Sequence, residues 1–151
     1  MTVAALKAKG TLLQRGDGGG PETFATVAEV TNISGPGLTQ EMIDVTSHES
    51  ADWRDYIPGI ADGGELTLDI NYIPDLAGHD ATAGLLKDFE DQISGTLSTP
   101  RNYKIVFTDT SNTEWIFAAW ISNFEPSANA SGTEKLGATV TLKITGQPTL
   151  A

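Results

Sequence analysis

Apolar and polar residues alternate along much of this chain with a period of two. In "ELTLDINYI" (65–73), Leu66, Leu68, Ile70 and Tyr72 point one way, and Glu65, Thr67, Asp69 and Asn71 the other. In "ATVTLKIT" (138–145), Ala138, Val140, Leu142 and Ile144 oppose Thr139, Thr141, Lys143 and Thr145. Successive side chains of a strand leave on opposite faces, so both segments read as half-buried antiparallel strands. "YKIVF" (103–107) and "EWIFAAWISNF" (114–124) are apolar on both faces, which predicts central strands or strands covered by another element. "KAKGTLLQR" (7–15), "FATVAEVTNI" (24–33) and "EMIDVTS" (41–47) bring the expectation to about seven or eight strands.

One segment breaks the period. "HDATAGLLKDFEDQI" (79–93) carries Leu85, Phe89 and Ile93 at a spacing of four, with Leu86 beside them. This predicts one amphipathic helix over 80–94, with Asp80 as N-cap and a Leu/Phe/Ile stripe packed on a sheet. The glycine- and proline-rich stretches "RGDGGGPE", "SGPG" and "SANASGTE" read as loops. The pattern as a whole predicts a mainly β fold: an antiparallel β-sandwich or barrel with one flanking helix. It is expected to be a single domain over 1–151. Residues 1–9 form an N-terminal arm, helical or extended, and 146–151 a C-terminal tail. A long inter-strand loop spans 48–63.

That loop is unusual in composition. "HESADWRDYIPGIADG" holds Trp53, Tyr56, Ile57 and Ile60 among Asp52, Arg54, Asp55 and Asp62. Such a mixture of large apolar and charged residues suits an interface better than a solvated tip. Two placements are open: the loop folds back over its own core, or it reaches a neighbouring subunit. The second is preferred.

Charge sharpens the picture. The formal net charge is −11, and residues 41–91 carry thirteen acids against Arg54 and Lys87, whereas acids and bases balance on either side. A field of this sign repels nucleic acid and anionic lipid at close range, so direct gripping of DNA or of a membrane is not expected. Solubility alone could also account for it. There is no cysteine, so no disulfide contributes. No charged-then-apolar leader and no membrane-length apolar run is visible, which predicts use without Sec-type export.

Catalytic and cofactor signatures do not emerge. "GDGGG" (16–20) lacks the Gly-Lys-Ser/Thr of a phosphate loop. His48 and His79 each sit beside one acid rather than at ligand spacing, and both read as exposed loop histidines. Asp62-Gly63-Gly64-Glu65 lacks EF-hand spacing and reads as a tight turn into the next strand. No nucleophile elbow is present. Neither an enzyme nor a cofactor or metal site is expected.

Several of these segments together resemble siphophage tail tube, or major tail, proteins. The likeness is carried by Ile43-Asp44-Val45-Thr46-Ser47, then Trp53-Arg54-Asp55-Tyr56-Ile57-Pro58-Gly59, then Asp62-Gly63-Gly64-Glu65 running into an alternating strand. "KGTLLQRGDG" near the start and "ISNFEPS" with "LGATVTLKITGQP" near the end agree in order and spacing. The C-terminal immunoglobulin-like domain that some members append is not expected here. The resemblance implies a tail-tube fold whose subunits form hexameric rings, stacked into a hollow tube that carries phage DNA. It implies a virion-tail location after assembly in the host bacterial cytoplasm. The implied partners are further copies of the chain, a tail initiator or baseplate, a tape measure protein and a tail terminator, with DNA passing unbound. The tube protein of a related contractile secretion system, or a monomeric ligand-binding β-sandwich module, are the alternatives.

On this reading Trp53, Arg54, Tyr56, Ile57 and Ile60 are expected at a subunit interface. Asp44, Glu65 and Asp69, on polar faces of strands, are the candidates for an acidic lumen wall. The loop acids Asp52, Asp55 and Asp62 are expected to pair with bases across subunits, Arg54 among them.

Overall fold

The computed structural model describes residues 5–80, 82–128, 130 and 135–150. Seven strands form one antiparallel sheet: β1 (Leu12–Gly16), β2 (Phe24–Thr26), β3 (Val30–Ser34), β6 (Glu65–Asn71), β7 (Arg101–Val106), β8 (Glu114–Ser127) and β9 (Gly137–Leu150). Their spatial order is β2-β1-β7-β8-β9-β6-β3. β4 (Thr39–Asp44) and β5 (Tyr56–Asp62) pair separately as a two-stranded hairpin, and α1 spans Leu85–Ser94. Although β1 and β3 stand far apart in the order, they touch, so the sheet curls back on itself. The architecture is mainly β, with a barrel-like curl.

The register explains the core. Leu66, Leu68 and Ile70 on β6 lie directly opposite Leu142, Val140 and Ala138 on β9. Further across the sheet Ile121 faces Leu142, Phe117 faces Tyr103, and Ile105 faces Leu13. All of these side chains are buried in one cluster with Leu85 of the helix. A one-residue slip would turn each row to the solvent, so burial on one face fixes the pairing. The two strands with apolar residues on both faces, β7 and β8, occupy interior places in the sheet, as expected.

Four expectations need correction. The helix begins at Leu85, five residues later than read from the pattern. A Cβ on Gly84 would stand 2.6 Å from the amide nitrogen of His79, so the chain folds tightly on itself there. The Asp80 carboxylate accepts from the amides of Thr82 and Ala83 and so caps this turn instead of the helix. The helix packs Leu85 and Phe89 on the core as read, but its inward face also takes in Asp88 and Gln92, which exchanges two hydrogen bonds with the backbone of Ile121, while Ile93 is 72% exposed.

His79 is fully buried rather than a solvated loop residue. Its Nδ1 accepts from the amide of Ile73 at 3.3 Å, and its Nε2 donates to the carbonyl of Ala28 at 2.7 Å. The ring thus satisfies two backbone groups of irregular chain that the sheet cannot reach. Residues 146–150, expected as a tail, continue β9, with Leu150 opposite Trp115 and Thr149 opposite Ile116. Pro148 is tolerated because it sits where the register shifts, and no ladder amide is needed there. Finally, the 48–63 loop is shorter than read: Tyr56–Asp62 is strand. Of the expected arm, residues 1–4 lie outside the described residues, as do Ala151 of the tail and most of the 127–134 loop.

Candidate assembly interface

β4, β5 and the connection between them carry six of the eight residues singled out for an interface or a lumen wall. Ile43 stands across from Ile57, Asp44 from Tyr56, and Met42 from Pro58, with a bulge between Gln40 and Met42. Side chains directly opposite share a face. One face therefore presents Ile43 and Ile57, and the other presents Met42, Pro58 and Tyr56. Every residue of β4 is exposed, and so is every residue of β5 except Gly59. Trp53 is 83% exposed and Ile60 84%. Leu38 and Val45 add two more exposed aliphatic residues. The hairpin does not fold back over its own sheet.

An isolated two-stranded hairpin is marginal in water, so local contacts must hold this one. The turn end is fixed by side chains. The Asp55 amide donates to Thr46 Oγ1 at 2.9 Å, and Ser50 Oγ donates to Asp55 Oδ2 at 2.6 Å. Asp44 Oδ1 accepts from the Thr46 amide at 2.9 Å, and Arg54 lies 3.7 Å from its other oxygen. Hydrogen bonds from the Thr46 hydroxyl and amide hold the Asp44 carboxyl below the usual range.

The base is fixed by Asp62 and Gly64. Asp62 Oδ1 accepts from the Gly64 amide at 2.8 Å, and Lys143 Nζ on β9 approaches the same carboxylate at 3.4 Å. The Gly64 bond first, then Lys143, keep the Asp62 carboxyl below its ordinary value. Gly64 has φ +72°, and a Cβ there would collide with the carbonyl of Gly37. The tight turn read from Asp62-Gly63-Gly64-Glu65 is thus present, with glycine required at its second glycine position.

The three acids read as lumen candidates lie on two elements. Glu65 and Asp69 lie on the polar face of β6, opposite Lys143 and Thr139. Asp69 Oδ1 accepts from Thr139 Oγ1 at 3.0 Å. Asp44 instead belongs to the hairpin, beside Arg54. Two of the loop acids find partners within the subunit: Asp55 with Ser50, and Asp62 with Lys143. The apolar residues Met42, Ile43 and Val45 were read only as strand, and the structure leaves all three exposed beside the apolar residues of the loop.

A second cluster had no forecast. Asp88, 1% exposed, receives Arg15 through Nε at 2.5 Å and Nη2 at 2.6 Å, Arg101 Nη2 at 3.1 Å, and the Tyr103 hydroxyl at 3.2 Å. It fastens α1 to β1 and β7. The hydrogen bond to Asp88 raises the Arg15 pKa, and burial, reinforced by the Asp88 charge, pushes the Tyr103 phenol strongly up. Four complementary groups saturate this carboxylate, which makes it a structural lock rather than a reactive acid.

The described residues thus form a curled antiparallel sheet with one helix against it and an uncovered hairpin. Residues 13–151 match the family model described as lambda phage tail tube protein, TTP, and the chain belongs to that family. Its members are structural components of phage tails. No curated protein sequence matches the chain.

Solved structures agree in fold. One is an extracellular contractile injection system, PVC sheath/tube terminator in the extended state: TM-score 0.74, 14% identity, covering 100% of this chain and 99% of that one. Another is the tail of an empty GTA particle with C6 symmetry: TM-score 0.70, 16% identity, 97% and 99% covered. A third is the baseplate of the anti-feeding prophage: TM-score 0.70, 14% identity, 100% and 97% covered.

Proposed function

We propose that this tail tube protein closes into six-membered rings, the symmetry of the GTA tail it resembles in fold, and that the rings stack into a hollow tube for DNA. The observation that carries this reading is the hairpin. It exposes Ile43 and Ile57 on one face and Met42 and Tyr56 on the other, with Trp53 at its end. A strand pair apolar on both faces needs cover on both sides, so it inserts between neighbours. Trp53, Arg54, Tyr56, Ile57 and Ile60 form the contact, and Asp44 joins them through Arg54.

A head-to-tail contact that closes gives a ring without leaving sheet edges free. Glu65 and Asp69 face the lumen. Carboxylates there repel phosphate, so DNA slides instead of sticking. Assembly takes place in the host cytoplasm, and the tube's ends and interior meet a tail initiator or baseplate, a terminator and a tape measure protein. Sedimentation of the full chain at rising concentration tests this reading. Rings and tubes are expected in wild type and lost in Trp53→Ala; a chain that stays a monomer at every concentration, even with tail initiator present, contradicts it.

A further inference from the structure

The reading above leaves open what receives the hairpin, and a groove elsewhere on the subunit fits it. The groove, of about 630 Å³, runs between residues 6–11 and the edge strand β3. Its lining includes Ile33, Ile105 and Phe107, with Leu6 on the rim. Ile105 belongs to the core, Ile33 and Phe107 are partly buried against it, and Leu6 is 65% exposed. Among the described residues β3 pairs only with β6, so its other edge is open to an incoming chain.

The wall made by residues 6–11 is held in place. Thr108 Oγ1 donates to the Lys7 carbonyl at 2.8 Å, and the Thr11 amide donates to the Ala8 carbonyl at 3.2 Å. That wall carries Lys7 and Lys9, and among the described residues no acid lines the groove. In a chain of twenty acids and nine bases this is an apolar channel with a cationic rim.

The hairpin has the opposite character. Residues 39–62 hold six acids against the single base Arg54, around a set of exposed aromatic and aliphatic side chains. We infer that the groove bounded by Leu6–Thr11 and β3 accepts the β4–β5 hairpin of a second copy of this chain, with Glu49 and Asp52 meeting Lys7 and Lys9. Gly35 lines the groove and β4 begins at Thr39, so donor and acceptor adjoin in the chain but share no residue. A contact between two different surfaces of identical subunits repeats from copy to copy, as tube growth requires. The inference rests on the hairpin being an assembly contact and adds its receptor.

The absence of cysteine allows a direct test. Full-length Asn32→Cys and Ala51→Cys chains are mixed, assembled and treated with a short bis-maleimide linker. A covalent heterodimer, far more abundant than in either variant alone, is expected. In parallel, Lys7→Glu with Lys9→Glu should raise the critical concentration for assembly about a hundred-fold, since like charges then face each other across the contact. Adding Glu49→Lys with Asp52→Lys to that chain should restore assembly.

Tubes that form with no Asn32–Ala51 link overturn the groove assignment while leaving the tube intact. So does a charge reversal without effect. If the lysine reversal unfolds the chain, the crosslink alone decides. Failure of wild type to assemble at all, even with tail initiator present, is a different result, and sinks the tube reading itself.

Discussion

Asp88 on α1 and Arg15 on β1 meet through two hydrogen bonds of 2.5 and 2.6 Å, although they stand 73 residues apart in sequence. The pair ties the only helix among the described residues to the sheet, with Arg101 and Tyr103 completing the carboxylate's contacts. Removing one partner leaves the others buried and unpaired. Asp88→Ala is therefore expected to cost about 3–5 kcal/mol, read as a lower denaturant midpoint of the free subunit. A loss below about 1 kcal/mol would show that the cluster is solvated enough to be dispensable.

The hairpin should behave in the opposite way. Trp53 is 83% exposed in the subunit, so Trp53→Ala should change the stability of the monomer by no more than about 0.5 kcal/mol. Tube formation should nevertheless be lost, because an aromatic anchor at a contact centre is among the costliest residues to truncate. Unfolding of the monomer by this substitution would return Trp53 to the subunit's own core.

The base of the hairpin should respond to acid. The folded-state pKa of Asp62 is depressed, so its contribution is fully present above the ordinary carboxylate value of 3.8 and is lost as pH falls through the lower folded value. The Gly64 amide, which donates to this carboxylate, should exchange faster relative to its intrinsic rate below about pH 3.8 than at pH 5. Asp62→Asn should remove most of that difference. Equal protection at both pH values in wild type would mean that Asp62 does not hold the turn.

How far the sequence revealed this molecule depended on whether a residue's partners lie on one buried face. β6 and β9 were legible because Leu66, Leu68, Leu142 and Val140 all turn to the same core, which imposes strict alternation. β5 was not. Tyr56–Asp62 contains Pro58 and Gly59 and is uncovered on both faces, so no alternation arises, and its strand character comes from pairing with β4. The end of the helix stripe was missed for a related reason: Leu85 and Phe89 pack on the core, but Ile93 does not, and Asp88 turns inward because Arg15, Arg101 and Tyr103 wait there. Nothing local in the sequence announces such a pairing. Burial of His79 was equally hidden, since it answers backbone groups at Ala28 and Ile73. The hairpin's exposed apolar set was legible despite this, because composition alone marked Trp53, Tyr56, Ile57 and Ile60.

The lumen assignment rests on Glu65 and Asp69. Replacing both by lysine should cost about 1 kcal/mol, chiefly through loss of the Asp69–Thr139 hydrogen bond, and should leave tubes able to form. DNA ejection from particles built with this variant should slow or stall, and less so as salt rises, because fixed cations now grip phosphate. Normal ejection from correctly built tails would remove these two residues from the lumen wall.

Electron microscopy of tubes grown from the full-length chain tests the central claim most directly. The account predicts a hollow tube of six-fold rings with each β4–β5 hairpin seated between neighbouring subunits, and with Trp53, Ile57 and Ile60 covered. A tube whose hairpins project freely into solvent, with its subunits joined through other surfaces, would contradict it.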